Sequence, residues 1–325
     1  MDHRTLIASI PAGTKNALQI RSDTAGLGHL AAYLTTLSVT SAGIVAQIPF
    51  WPVLMLPQGI LLVFLFTLSH ECTHKTPFRS PWLNEAVGHL VSVPIALPFT
   101  WFRYFHLAHH KWTNDPDKDP ELAGKPRPDS WSSLLIYLSG IPYWTGMARV
   151  LVQNARGRTY APYVPTRQHR AVRTEARVLL LLYALAALSF TVSPVLFWLW
   201  LVPVVIGQPA LRLYLLAEHG LCPAVANMLE NSRTTFTNRA IRFLAWNMPY
   251  HAEHHAFPNV PFHKLPALHA WTRSYLKSTS DGYSGFSVAY ANSLGHYGHN
   301  PSTPQRRRMI RGWVKTRDRR TNSTE

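Results

Sequence analysis

Asn247–Pro266 reads N-M-P-Y-H-A-E-H-H-A-F-P-N-V-P-F-H-K-L-P. At its centre is an H-x-x-H-H cluster of His251, His254 and His255. Helix positions three and four apart project from one face, so these imidazoles can meet across a single turn and share a metal centre. One such cluster also fits an ordinary solvated surface. The chain repeats it, however: His106, His109 and His110 form a second H-x-x-H-H, and His70 and His74 form a related pair. Eight histidines in three clusters can supply two metal ions with about four ligands each. Neutral imidazole suits iron, copper, zinc and nickel, so ligand type alone does not choose among them.

The distribution of charge gives these clusters a setting. Thr24–Ser69 contains no Asp, Glu, Lys or Arg, and neither does Val178–Leu211. A membrane-spanning helix needs about 20 mostly apolar residues. The first run therefore holds two spans, expected near 26–46 and 49–69, with a break at Pro49 and Pro52. The second run holds two, near 178–193 and 195–217, only if it continues through Arg212. That arginine must then pair within the bundle or reach a polar region.

The expected fold is an all-α integral membrane protein with four transmembrane helices in two hairpins, carrying a cytoplasmic helical cap. The net charge of +16 has no nucleic-acid motif beside it. Instead, Tyr143–Arg177 carries seven basic residues and one acid, while the expected turns at Gln47–Trp51 and Ser193–Val195 carry no charge. The positive-inside rule then puts both termini and all three histidine clusters on the cytoplasmic side. Two cysteines, Cys72 and Cys222, fit a reducing compartment. The first 23 residues are polar, and Gly26–Ala46 is too long for a signal-peptide core, so the N-terminus is expected to be uncleaved.

The expected organisation is a loose or interfacial N-terminal arm over 1–24, a membrane domain over 25–282 and a basic tail over 283–325. Within the domain, Pro94 and Pro98 interrupt Ala86–Phe102, which reads as an interfacial or re-entrant segment. Trp131–Gln153 is apolar and aromatic and fits the membrane surface. In the tail, Arg306–Arg320 carries eight basic residues and one Asp, a composition that suits either anionic headgroups or solvent.

Taken together, H-E-C-T-H at His70–His74, H-L-A-H-H at His106–His110 and H-A-E-H-H at His251–His255 resemble the three histidine boxes of the integral-membrane fatty acid desaturase family. Their order agrees, as do Phe78–Gly88 with Asn84 after the first box, D-P-D-K-D-P-E-L after the second and N-M-P-Y before the third. The resemblance covers roughly residues 25–270. It implies a non-haem di-iron site that uses O2 and two external electrons, with His70, His74, His106, His109, His110, His251, His254 and His255 as iron ligands. It also suggests His219 as a further ligand. Glu71, Glu218 and Glu253 are candidates to orient the imidazoles from behind, and Asn247 is a weaker one. His89 and His263 read as packing residues, and Asp115, Asp117 and Asp119 as a solvated turn, with contact behind the histidines as the alternative.

The implied reaction is introduction of a double bond into a fatty acyl chain or other lipid-like substrate. A hydroxylase or ketolase acting on a lipid, carotenoid or amino-acid-derived metabolite is the alternative within the family. The first box has three intervening residues, as in many acyl-lipid enzymes. No haem-binding or iron–sulfur module is evident, so a separate ferredoxin or cytochrome is the expected electron donor. Two other classes compete. His70-Glu71-x-x-His74 satisfies H-E-x-x-H, the zinc metalloprotease pattern with Glu as general base, but that chemistry leaves six histidines without a task. A metal carrier favours histidines spread along the spans rather than gathered at their ends.

Overall fold

A computed structural model of the chain describes residues 1–294, apart from 124–125 and 159–160. Helices dominate. In order they are α1 (His3–Ser9), α2 (Ala12–Leu18), α3 (Asp23–Val45), α4 (Met55–Thr73), α5 (Pro81–Ser92), α6 (Phe99–Trp112), α7 (Trp131–Leu138), α8 (Ile141–Ala155), α9 (His169–Ser189) and α10 (Val202–His219). The short α11 (Met228–Asn231), α12 (Arg239–Leu244), α13 (His251–Ala256), α14 (Leu265–Thr272) and α15 (Gly282–Ser293) complete the set. The all-α expectation fits this order, to which the described residues add one short sheet. Strands β1 (Thr234–Phe236) and β2 (Thr279–Asp281) pair in parallel, with Thr234 opposite Thr279. They tie the segment after α10 to the start of α15.

Among the described residues, two helical stretches are long and apolar enough to cross a membrane, Trp51–Thr73 and Phe197–His219. The expected spans 26–46 and 178–193 correspond to α3 and α9, which are less apolar. Five Thr and Ser residues interrupt α3 between Thr35 and Ser41, and α9 begins at His169 with Arg170, Arg173, Glu175 and Arg177 in its first half. Ser22 caps α3 by accepting from the Ala25 N–H, and Asp23 in its first turn favours the positive helix end. The Asp23 carboxylate also accepts from the Ser80 N–H and hydroxyl at 2.9 and 2.7 Å, which ties α3 to the entry of α5.

The frame is set by α4 and α10, which make the most extensive helix pairing in the fold. They meet backbone to backbone at two glycines. A Cβ on Gly59 would fall 2.0 Å from the Pro203 carbonyl oxygen, and one on Gly207 would fall 2.4 Å from the Gly59 carbonyl. Small residues permit this approach. Above the crossing, Phe64 and Tyr214 pack edge to face at 5.0 Å. Buried Gln58 reaches out of α4 to donate to Ser41 Oγ and the Leu199 carbonyl. Because the two helices run in the same direction, the eleven residues from Gly59 to His70 and the twelve from Gly207 to His219 climb about 17 and 18 Å respectively. Both histidines thus reach the same level.

The N-terminal arm packs onto the body of the fold. α1 and α2 are amphipathic and bury Leu6, Ile10 and Leu18, and the His3 backbone N–H donates to Asn227 Oδ1 at 3.0 Å. Beyond residue 282, α15 buries Phe286 and Tyr290 against α10 and α7. The basic run Arg306–Arg320 lies outside the described residues. The break expected in Ala86–Phe102 is present: a 3-10 turn over Val93–Ile95 and a left-handed Ala96 separate α5 from α6.

Gly207→Leu puts a side chain where the α4 backbone lies. It should destabilise the protein by at least about 1–3 kcal/mol, seen as a lower thermal midpoint in detergent. Gly28→Ala, whose added Cβ meets nothing within 4 Å, should leave the midpoint nearly unchanged. Equal midpoints for the two variants would contradict the crossing.

Candidate metal centre

Four helices converge on one buried centre. His70 lies in the last turn of α4 and His74 caps it. His106, His109 and His110 share one face of α6, His219 ends α10, and His251, His254 and His255 occupy α13. Each of these helices stops or starts abruptly. Left-handed, non-glycine residues stand at Lys75, Asn114, Leu221, Trp246 and Asn247, within five residues of the nearest histidine of the centre. Asn tolerates this conformation, but Lys, Leu and Trp hold it at a cost of about 1–3 kcal/mol each. The surrounding packing therefore fixes the backbone at every entry to the centre.

The imidazole nitrogens form two groups. His70, His74, His106, His110 and His254 make one, and His109, His219 and His255 the other; within each group the donor atoms lie within 4.8 Å of one another. His251 joins the second group, its Nε2 lying 2.9 Å from His219 Nε2. The His110 and His255 rings stack at 4.0 Å and 6° between the groups. Across the centre, His74 Nε2 lies 2.8 Å from His106 Nε2, His254 Nε2 lies 3.2 Å from His110 Nε2, and His109 Nε2 lies 3.1 Å from His219 Nε2.

The outward-facing nitrogens decide what these contacts mean. His109 Nδ1–H donates to the Asp119 carboxylate at 2.9 Å, and His219 Nδ1–H donates to the Asn231 carbonyl at 3.1 Å. His255 Nδ1 lies 3.2 Å from Thr113 Oγ1, whose own hydrogen is given to the His109 carbonyl, so this Nδ1 is also a donor. In a neutral imidazole one nitrogen carries hydrogen and the other a lone pair. When all three rings are neutral, their Nε2 atoms present bare lone pairs to one another, an arrangement that a bound metal ion or a proton on His109 reconciles. In the first group, neither nitrogen of buried His70 has a hydrogen-bond partner. The donor set fits two borderline metal ions held by imidazole nitrogen.

Burial keeps the rings in this ligating form. It pushes the pKa of His106, His110, His251, His254 and His255 well below the usual histidine value, with neighbouring imidazoles adding to the effect. His74 falls to about 3, again chiefly from burial. His109 differs: burial lowers its pKa, but the Glu121 and Asp119 carboxylates outweigh burial and leave it raised.

The residues expected to orient ligands divide. Glu218 and Glu71 do face them: Glu218 Oε1 lies 3.3 Å from His251 Nδ1 and Glu71 Oε1 lies 3.6 Å from His254 Nδ1. Glu71 is further fixed by the Thr76 hydroxyl and the Phe262 N–H, which donate to its Oε2. Glu253 is a correction. On α13 it lies roughly 200° around from His251, at 3.6 residues per turn, and its carboxylate faces Thr234, His269 and Thr272 instead. Asn247 is another: its side-chain amide donates to the Phe262 carbonyl, and the residue serves the left-handed turn before α13. His89 pairs with Glu175 at 2.9 Å, away from the centre.

The acidic loop is also corrected. Only Asp117 is solvated, while Asp115 is buried and Asp119 is fully buried beneath His109. The Asn114 and Glu121 N–H groups hold the Asp119 carboxylate in place. Sequence reasoning carried Asp119 only as the alternative to a solvated turn, and missed Thr113 and Asn231 as supports. Proximity to the second box was the available signal for Asp119 and Thr113, and nothing local marked Asn231.

The sequence profile described as fatty acid desaturase matches residues 47–287, which include every histidine of the centre. The chain belongs to the fatty acid desaturase family. Among curated relatives, the sn-1 acyl-lipid omega-3 desaturase (ferredoxin) of Nostoc sp. (strain 36) is 39% identical over 70 residues, 22% of this chain and 20% of that protein. The sn-1 oleoyl-lipid 12-desaturase of Arthrospira platensis is 38% identical over 68 residues, covering 21% and 19%. Fatty acid conjugase FAC2 A of Calendula officinalis is 24% identical over 252 residues, covering 68% of this chain and 67% of that protein. The chain thus spans about a fifth of the length of the cyanobacterial relatives it matches.

His254→Ala should lose metal from the five-histidine group while the protein still inserts and folds. Asp119→Asn should keep both metals but bind the one at His109 about 10–100-fold more weakly. Metal titration followed by elemental analysis checks both. Full metal retention in His254→Ala would refute its place in the ligand set.

Proposed function

We propose that this protein is an oxygen-dependent membrane desaturase that introduces a double bond into an acyl chain or similar lipid-like substrate. In this reading His70, His74, His106, His109, His110, His219, His251, His254 and His255 hold two iron ions. Two irons with dioxygen and external electrons supply the chemistry that removes hydrogen from unactivated C–H bonds. The observation that carries the proposal is the joining of the histidine centre to an apolar cavity. A volume of about 660 Å³, lined by Phe66, Trp101, Phe102 and Phe105, opens onto His70, His106, His109, His219 and His251. That size lies within the usual range of about 300–1,000 Å³ for small-molecule sites.

The chain's own residues have defined tasks. The aromatic wall holds an alkyl segment and keeps water from it. Asp119, Asn231 and Thr113 fix the tautomers of His109, His219 and His255, leaving each Nε2 free to ligate. Glu71 and Glu218 stand behind His254 and His251. The environment of Glu71 weighs against the zinc-hydrolase reading. Its side chain is fully buried and accepts from Thr76 and Phe262 rather than addressing an open position.

We further propose that α3, α4, α9 and α10 form two hairpins entering from the cytoplasmic side, with the centre and both termini in the cytoplasm. The charge bias of the connecting segments supports this. A soluble electron donor such as a ferredoxin, which one relative's name specifies, would be attracted by the basic surface.

The test is turnover by the iron-loaded protein with ferredoxin, its reductase, an acyl substrate and isotopically labelled dioxygen, followed by mass spectrometry. A product lacking two hydrogens and carrying no label is expected, and His219→Ala should abolish it. A product carrying labelled oxygen would replace desaturation with hydroxylation. Turnover unaffected by His219→Ala would remove that residue from the centre.

A further inference from the structure

Arg212 is the one cation within the apolar stretch Phe197–His219. It precedes His219 by seven residues, about 10 Å of helix rise, and lines the same cavity as His219 and His251. Only 9% of it is exposed. Its Nε donates to Gln208 Oε1 at 3.1 Å. The guanidinium lies 4.7 Å from the Tyr143 ring centroid and 5.9 Å from that of Tyr137. Tyr143 is itself anchored, its hydroxyl donating to the Ile95 carbonyl. Arg212 Nη2 is buried and has no hydrogen-bond partner.

Glu121, Asp129 and Glu218 also line the cavity; Glu121 and Glu218 feel the charge of this arginine, but none of the three forms an ion pair with it. Glu218 Oε1 lies 3.3 Å from His251 Nδ1, and Glu121 Oε2 lies 3.7 Å from His109 Nδ1. A buried guanidinium with no carboxylate in direct contact is costly, and ring faces offset only part of that cost. An ionisable residue inside a membrane segment normally marks a ligand path or a paired site. Here no protein carboxylate touches the guanidinium, and its free N–H lies beside the cavity that opens onto the histidines.

We propose that Arg212 is the anion-binding end of the cavity and receives the carboxylate of the substrate. The preferred substrates are then free carboxylic acids short enough to be enclosed, rather than glycerolipid esters whose headgroups stay at the membrane surface. A guanidinium–carboxylate contact is a strong, charge-assisted hydrogen bond with directional preference. Gln208 and Tyr143 act as positioning residues that aim the guanidinium. The carbon that reacts lies on the order of 10 Å from the carboxylate, as set by the helix rise from Arg212 to His219. This deepens the proposed function and rests on it for turnover, but the binding itself does not require the oxidation chemistry.

The experiment measures binding of decanoate and of methyl decanoate to the full chain in a neutral maltoside detergent, by calorimetry at a pH where the acid is ionised. Decanoate should bind about tenfold or more tightly than its ester, a difference of one charge-assisted contact. Arg212→Gln should abolish that preference, and Arg212→Lys, which keeps the charge and loses the planar fork, should retain part of it. Equal binding of acid and ester by the natural protein would overturn the proposal, whether or not Arg212→Gln folds. So would an acid preference that survives in Arg212→Gln. Acid-selective binding with no oxidised product would sink the desaturase reading and leave the anion site standing. Oxidation of ester lipids without acid preference would sink the anion site alone.

Discussion

Imidazole lone pairs brought nitrogen to nitrogen in a buried space repel one another unless a cation lies among them. Nine histidines from four helices are held in that relation here, and much of the structure acts to maintain it. Burial keeps most of the rings neutral, while Asp119, Asn231 and Thr113 dictate which nitrogen of three of them carries hydrogen. Such supports determine whether a cluster of histidines is a ligand set or a collection of polar groups, because they fix both tautomer and ring direction.

The frame beneath follows from two glycines. Backbone contact between Gly59 and Gly207 sets the relative height of α4 and α10, and nearly equal climbs from that crossing deliver His70 and His219 to one level. The remaining histidines come from outside the long helices, on α6 and the short α13. Their approach is governed by left-handed residues at Lys75, Asn114, Leu221, Trp246 and Asn247. Local strain of this kind persists only where the surrounding structure over-determines it, and here it lies around the chemistry. The cavity that meets the centre is apolar along one wall and carries a buried cation, so it combines a place for an alkyl segment with a place for charge.

Much of this was legible in the sequence, for a clear physical reason. Three- and four-residue spacing places His106, His109 and His110 on one helix face, and charge-free runs mark long helices irrespective of tertiary context. His219 was legible more faintly, from its place at the end of such a run. What the sequence hid depends on the third dimension. Glu253 sits between two ligand histidines in the chain, yet lies on the far side of α13 and bonds to His269 and Thr234. Asp119 looks like part of a solvated acidic turn until the fold buries it under His109. Helices as short as α1 and α2 show too little periodicity to reveal that Leu6, Ile10 and Leu18 are core. Polar interruptions in α3 and the charged first half of α9 likewise blur the reading of four equivalent spans.

The central claim is that these nine histidines form one centre for two metal ions. Elemental analysis of the purified full chain, grown with iron supplied, tests it most directly. The account predicts about two irons per chain, in keeping with two adjacent groups of imidazole donors. A single zinc ion per chain that survives removal of the histidines on α6 and α13 would contradict it, since His70 and His74 would then serve a different chemistry.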